Sequence, residues 1–127
     1  LLPWALRVMR MKLSRFLFSF RFAAQGIGTA MKREQNMKVH AGSAVVVVAA
    51  GMWTGLDPVE WMLVILLIGG MLALELVNSA LERVVDLVTA ERHPLAKQAK
   101  DMAAGAVLVF AVASAIIGLL IFLPKWF

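Results

Sequence analysis

The sequence predicts an all-α integral membrane protein, with three transmembrane helices preceded by an amphipathic helix lying in the membrane interface. Three observations carry this prediction. The 127 residues are 61% apolar, with a mean hydropathy of +0.82, well above an ordinary soluble domain. The chain has room for about three apolar stretches of roughly 20 residues, the length that crosses a bilayer as a helix. Turn signals at Leu56-Asp57-Pro58 and from Thr89 to Pro94 separate these stretches. A chain of this length reads as one membrane domain, 1–127, too small to enclose a large site by itself. Any enzymatic site is therefore expected to form between identical subunits.

The amphipathic element is expected over 12–32. Leu13, Phe16, Leu17, Phe20, Ala24, Ile27 and Met31 recur at a spacing of three or four, with Ser14, Arg21, Gln25 and Lys32 opposite. Gly26 and Gly28 are expected to loosen its end. The first membrane helix is expected over 39–56, where Gly42, Ser43 and Ala44 suit close helix packing. Asp57 then reads as an N-cap and Pro58 as an early helical position. The second helix, over 59–88, would be about 45 Å long, so its last third protrudes from the hydrocarbon. The third is expected over 97–123, nearly free of polar residues from Met102 onward, and ending at Pro124.

Charge sets the orientation. Of thirteen Lys and Arg, eight precede Val39, four lie between Arg83 and Lys100, and Lys125 alone falls beyond. The positive-inside rule places the amino terminus and the 83–101 segment in the cytoplasm, and Trp53, Trp61 and Trp126 at the outer interface. The net charge of +5 is therefore assigned to the membrane surface and not to nucleic acid. No cysteine is present, which excludes disulfides, thiolate metal sites and cysteine nucleophiles. The first long apolar run starts late, so the first span itself is expected to direct insertion. Met11 is expected as an alternative start, an idea that an intact mass requiring residues 1–10 would reject.

The most informative polar residues are Glu75, Asn78, Glu82 and Asp86. At 100° per residue they fall near about 0°, 300°, 340° and 20°, a single stripe on a helix otherwise apolar enough to cross a membrane. An ionisable group at bilayer depth costs roughly 2.5–3.5 kcal/mol even on lenient scales, so the stripe needs a cation, a proton path or chemistry. Glu34 before the first span, and Lys97, Lys100 and Asp101 at the start of the third, converge on the same membrane edge. Carboxylates from different helices suit Mg²⁺, which takes one or two protein oxygens and leaves the rest to water and phosphate. Lysines supply point charges for phosphate oxygens, and a carboxylate kept partly out of water accepts a proton. These are parts for phosphoryl transfer, although the chain has neither a Walker loop nor a kinase catalytic-loop motif. Structural readings stand beside these: Glu82 and Arg83 as surface charges, His93 as a loop histidine, Lys97 as a lipid contact, and Asn78 as an interhelical hydrogen bond.

At ELVNSALERVVD (Glu75 to Asp86), followed by HPLAKQAKDMAAGAV (His93 to Val107), the sequence resembles the small prokaryotic diacylglycerol kinase family. ERVVDLVTAERHPLAKQAKD is most similar to its Gram-positive branch of undecaprenol kinases, and the resemblance covers roughly Arg15 to Leu123. It implies a homotrimer in the bacterial plasma membrane, active on the cytoplasmic side, that uses ATP and Mg²⁺ to phosphorylate a lipid alcohol. By position it implies Glu75 as the general base, Glu34 and Glu82 as metal-holding carboxylates, and Asn78 beside the reacting phosphate. It further implies nucleotide contacts from Arg15, Glu91, Arg92, His93, Lys100 and Asp101. Position 22 is Phe where relatives often carry Tyr, so stacking is retained without a hydroxyl.

The expected function is phosphorylation of undecaprenol, with diacylglycerol as the alternative substrate. A small cation- or proton-conducting oligomer is the reading from another class. Glu34 and the Glu75–Glu82 face are expected to meet across or beside a subunit boundary.

Overall fold

The computed structural model describes residues 2–127, which form four α-helices. These are α1 (Pro3–Arg33), α2 (Gln35–Thr54), α3 (Pro58–Val88) and α4 (Pro94–Trp126). Three of them, α2, α3 and α4, are long and apolar enough to cross a membrane. The chain divides into two compact units, Leu1–Arg33 and Glu34–Phe127.

The first unit is one uninterrupted helix, longer than the 12–32 expected. Pro3 opens it, where a missing N–H costs nothing, and residues 5–11 are good helix formers. Gly26 and Gly28 do not loosen its end, because the helix runs on to Arg33. Each glycine costs about 1 kcal/mol relative to alanine. The neighbouring alanines, and Lys32 and Arg33 in the last turn, favour the helical state against that cost.

In the second unit α2 begins at Gln35, before the apolar run. Hydropathy marks the part of a helix that suits lipid, not the point where the helix starts. Gly55, with φ +80°, ends α2 in the left-handed conformation that glycine adopts without strain, and its N–H bonds the Gly51 carbonyl at 2.9 Å. A capping box then starts α3: Asp57 accepts from the Glu60 N–H at 2.9 Å, and Glu60 accepts from the Asp57 N–H at 3.0 Å. That Glu60 N–H holds the Asp57 carboxyl below the usual carboxylate range. α4 starts at Pro94 and passes through Pro124 to Trp126, where the sequence pattern had it stop. A proline in the last turn forfeits a single intrahelical bond. Trp126 offsets it, with its indole N–H on Thr54 Oγ1 at 2.9 Å and its ring against Phe122 at 5.3 Å.

Two ion pairs show that α3 and α4 run antiparallel. Glu60 meets Lys125 at 2.9 Å at one end, and Asp86 meets Lys100 at 2.6 Å at the other. α3 packs most extensively on α4, less on α2, and α2 touches α4 sparsely. Val64, Ile121 and Phe122 form the buried apolar cluster, with Val47, Leu56, Trp61 and Ile68 against it.

Gly70 of α3 faces the ring of Phe110 on α4. A Cβ there would overlap Phe110 Cζ and lie 3.1 Å from both neighbouring ring carbons, so the ring or the helix has to move. Gly70→Ala is expected to destabilise by about 1–3 kcal/mol from overpacking, less roughly 1 kcal/mol regained in helix propensity. Thermal unfolding in detergent checks this against Gly69→Ala, where nothing lies within 4 Å. Equal midpoints for the two variants would show that the ring yields freely.

Candidate functional site

The helical period of α3 puts Glu75, Asn78, Ser79 and Glu82 on a face turned toward the start of α2. Glu75 is 2% exposed, Asn78 5% and Ser79 3%, and they are the three buried polar residues among those described. Glu75 Oε2 lies 3.7 Å from His40 Nε2 on α2. Asn78 Nδ2 donates to Glu82 Oε1 at 3.3 Å. Asn78 Oδ1 and Ser79 Oγ are buried without a hydrogen-bond partner within the chain.

Glu34 occupies the N-cap position of α2 but makes no side-chain cap bond. Its carboxylate turns instead to Arg83, Oε1 to Nη1 at 2.8 Å. Arg83 also donates to the Ser79 carbonyl at 3.3 Å, so it ties the cap of α2 to the late turns of α3. Glu34 and Glu82 are the carboxylates that act electrostatically on Glu75. Glu34 and Glu82 therefore stand on the Glu75 side of the same chain.

The second group surrounds the turn between α3 and α4. Glu91, Arg92, His93, Lys100 and Asp101 all line an open cleft of about 630 Å³, together with Asp86 and Lys97. Thr89 Oγ1 accepts from the Glu91 N–H at 3.2 Å and shapes the turn. His93 caps α4, its Nδ1 accepting from the Leu95 N–H at 3.1 Å, so this loop histidine has a structural task. Lys97 pairs with Asp101 one turn on, at 2.5 Å. Lys100 joins the two groups, because it bonds Asp86 and also feels the charge of Glu82. Arg15 and Phe22 lie exposed on α1, in the first unit.

The carboxylates and the orphaned Asn78 carbonyl oxygen are hard oxygen donors of the kind Mg²⁺ prefers. Among the described residues no three His, Asp or Glu side chains converge as a ready metal site. The Glu34–Arg83 contact runs through Oε1.

Sequence reasoning missed His40, Ser79 and the Arg83–Glu34 pair. For His40 the signal was present: it is an ionisable residue inside the first apolar span, the same criterion that singled out Glu75. Nothing local announces the Arg83–Glu34 pair, which depends on how α3 docks on α2.

Similarity to known proteins identifies the family. The profile of the prokaryotic diacylglycerol kinase family matches residues 21–122. The chain is 55% identical over 116 residues to the undecaprenol kinase of Bacillus subtilis (strain 168), covering 91% of this chain and 94% of that protein. It is 40% identical over 109 residues to a diacylglycerol kinase of Synechocystis, covering 85% of this chain and 62% of the relative. To the diacylglycerol kinase of Escherichia coli (strain K12) it is 29% identical over 103 residues, covering 81% and 84%. A kinase family implies ATP as phosphate donor. With its family profile matched over most of its length, the chain belongs to the prokaryotic diacylglycerol kinase family and is a kinase.

Proposed function

We propose that the protein transfers the γ-phosphate of ATP to the hydroxyl of undecaprenol, giving undecaprenyl phosphate and ADP. The observation that carries this reading is the burial of Glu75 beside Glu34, Asn78 and Glu82 at one end of three helices apolar enough to span a membrane. Undecaprenol is favoured over other lipid alcohols by 55% identity across nearly the full length of a protein named for that substrate. Diacylglycerol is the second reading, favoured by the 40% identity to the Synechocystis diacylglycerol kinase. The chemistry is common to both.

In this reading Glu75 accepts the hydroxyl proton as the alcohol oxygen attacks the γ-phosphorus and the bond to the ADP oxygen breaks. Asn78 steadies the reacting phosphate. Lys100, Asp101 and the Glu91-Arg92-His93 turn hold the nucleotide in the cleft they line. The family resemblance separately implies nucleotide contacts from Arg15 and Phe22 of α1. Glu34 and Glu82 would hold Mg²⁺, which when bound neutralises phosphate charge and orients the triphosphate. α1 serves as an amphipathic interfacial helix, and the carboxylate end of the bundle faces the cytoplasm, as the distribution of Lys and Arg favours.

A conducting oligomer is disfavoured, because a path needs polar groups through its depth. Ser114 is the one polar side chain of α4 between Met102 and Leu123, and its hydroxyl is already given to the Phe110 carbonyl at 2.7 Å. Transfer of ³²P from γ-labelled ATP into organic-extractable lipid tests the kinase reading. Incorporation should require both added alcohol and Mg²⁺, and its absence with a folded protein contradicts the proposal.

The assembly is a homotrimer in this account, since one chain offers too few walls for ATP and a lipid head. Because Glu34 and Glu75 gather within one chain, co-expressing Glu34→Gln with Glu75→Gln should restore no activity. Recovered activity would show that each site draws these two residues from different chains.

A further inference from the structure

We infer that His40 is a positioning residue for the Glu75 carboxylate, holding one oxygen so that the other is aimed at the lipid hydroxyl. This rests on Glu75 being the base. A glutamate's terminal torsion is broad and roughly two-fold, so a buried carboxylate that must accept a proton from one direction needs a second group to fix its rotation. Misplacement of the accepting oxygen by about 1 Å is enough to cost on the order of 10²-fold in rate.

The nitrogen donors nearby on α3 and α4 are committed. Asn78, on the same helix, donates to Glu82. Arg83 is taken by Glu34 and the Ser79 carbonyl, and Lys100 by Asp86. His40 reaches Glu75 from a different helix, with Nε2 facing Oε2 at 3.7 Å, and Oε1 is the oxygen this arrangement would present to the substrate. That separation is longer than a hydrogen bond, and catalytic hydrogen bonds are commonly long before substrate arrives and tighten in the complex.

The placement of the ring supports the same role. His40 lines an apolar groove of about 410 Å³ between α2, α3 and α4, with Ser43, Val47, Val64 and Met71 among its walls. Glu75, one turn beyond Met71, is not among the lining residues. His40 thus stands between the groove and the base, where a change in its contact is felt by the carboxylate and not by the nucleotide cleft.

The test is a double-mutant cycle on the full-length protein in mixed micelles, measuring turnover per folded enzyme and KM for ATP. His40→Leu should lower kcat by about ten-fold or more, within the range of contacting pairs that work as a unit. KM for ATP should stay unchanged, and His40→Gln, which returns an N–H donor, should recover most of the loss. On Glu75→Gln, His40→Leu should cost nothing further, because there is no longer a base to position. An equal cost on both backgrounds overturns the role of His40, as does His40→Gln performing no better than His40→Leu. Should His40→Leu fail to assemble, His40→Asn takes its place. It keeps polarity but withdraws the donor from Glu75, and near-normal turnover in it also overturns the proposal. Normal turnover in Glu75→Gln alone overturns the base assignment as well, which separates the two failures.

Discussion

Glu75→Gln should reduce turnover by about 10²–10⁴-fold, the usual contribution of a positioned general base. Glutamine keeps the shape of the side chain and its oxygen but cannot take the proton released as the alcohol attacks. The site is suited to show this cleanly. Glu75 is buried, and its neutral replacement removes an anion from the company of Glu34 and Glu82, so the fold should not suffer. The nucleotide-side residues are on the later turn and on α4, so the apparent affinity for ATP should hold within about two-fold, the pattern of an interaction made in the transition state alone. Steady-state kinetics on protein shown to be folded by gel filtration and thermal unfolding checks this. A folded variant with near-normal turnover would remove Glu75 from the mechanism.

The second large effect is expected at the metal-holding pair. Glu82→Gln leaves an oxygen to accept from Asn78 Nδ2, now at 3.3 Å, but takes away a charge on which Mg²⁺ binding depends. The Mg²⁺ concentration for half-maximal rate should rise by about ten-fold or more, since even outer partners of metal ligands are worth 10–100-fold. Glu34→Gln should do the same, and it also weakens the link to Arg83 that joins α2 to α3. Lys100→Met provides the contrast. It should raise KM for ATP by removing a charge that meets phosphate, while the Mg²⁺ titration at saturating ATP stays near that of the parent. Identical Mg²⁺ titrations for all four proteins would contradict this division of tasks.

Most of the helical layout was readable in the sequence, because its causes are local. Apolar runs of bilayer length, the Asp57-Pro58 start of α3 and the one-sided spacing of Glu75, Asn78 and Glu82 each follow from neighbours within a turn or two. Helix ends were less legible. α2 extends back to Gln35 and α4 on to Trp126 because helices continue past the apolar stretch, and because Trp126 finds Thr54 at the far end of another helix. The same distinction applies within the candidate site. The α3 stripe is a property of one helix, whereas Glu34 with Arg83, Asp86 with Lys100, and His40 with Glu75 are pairings between helices. His93 is instructive: it was read as a nucleotide contact or a loop residue, and its ring also caps α4. Capping by histidine has a weaker sequence signature than capping by Asp or Ser.

The most direct test of the central claim is a competition for one enzyme. Undecaprenol and diacylglycerol are supplied at equal mole fraction in the same mixed micelles, with labelled ATP and Mg²⁺, and the two phosphorylated lipids are separated and counted. Their initial ratio gives relative kcat/KM without separate calibration of either alcohol. Wild type should label both pools, with undecaprenyl phosphate dominant, and Glu75→Gln should place little label in either. Dominant phosphatidic acid would contradict the substrate assignment, and no label in either lipid from the folded wild-type protein would contradict the account as a whole.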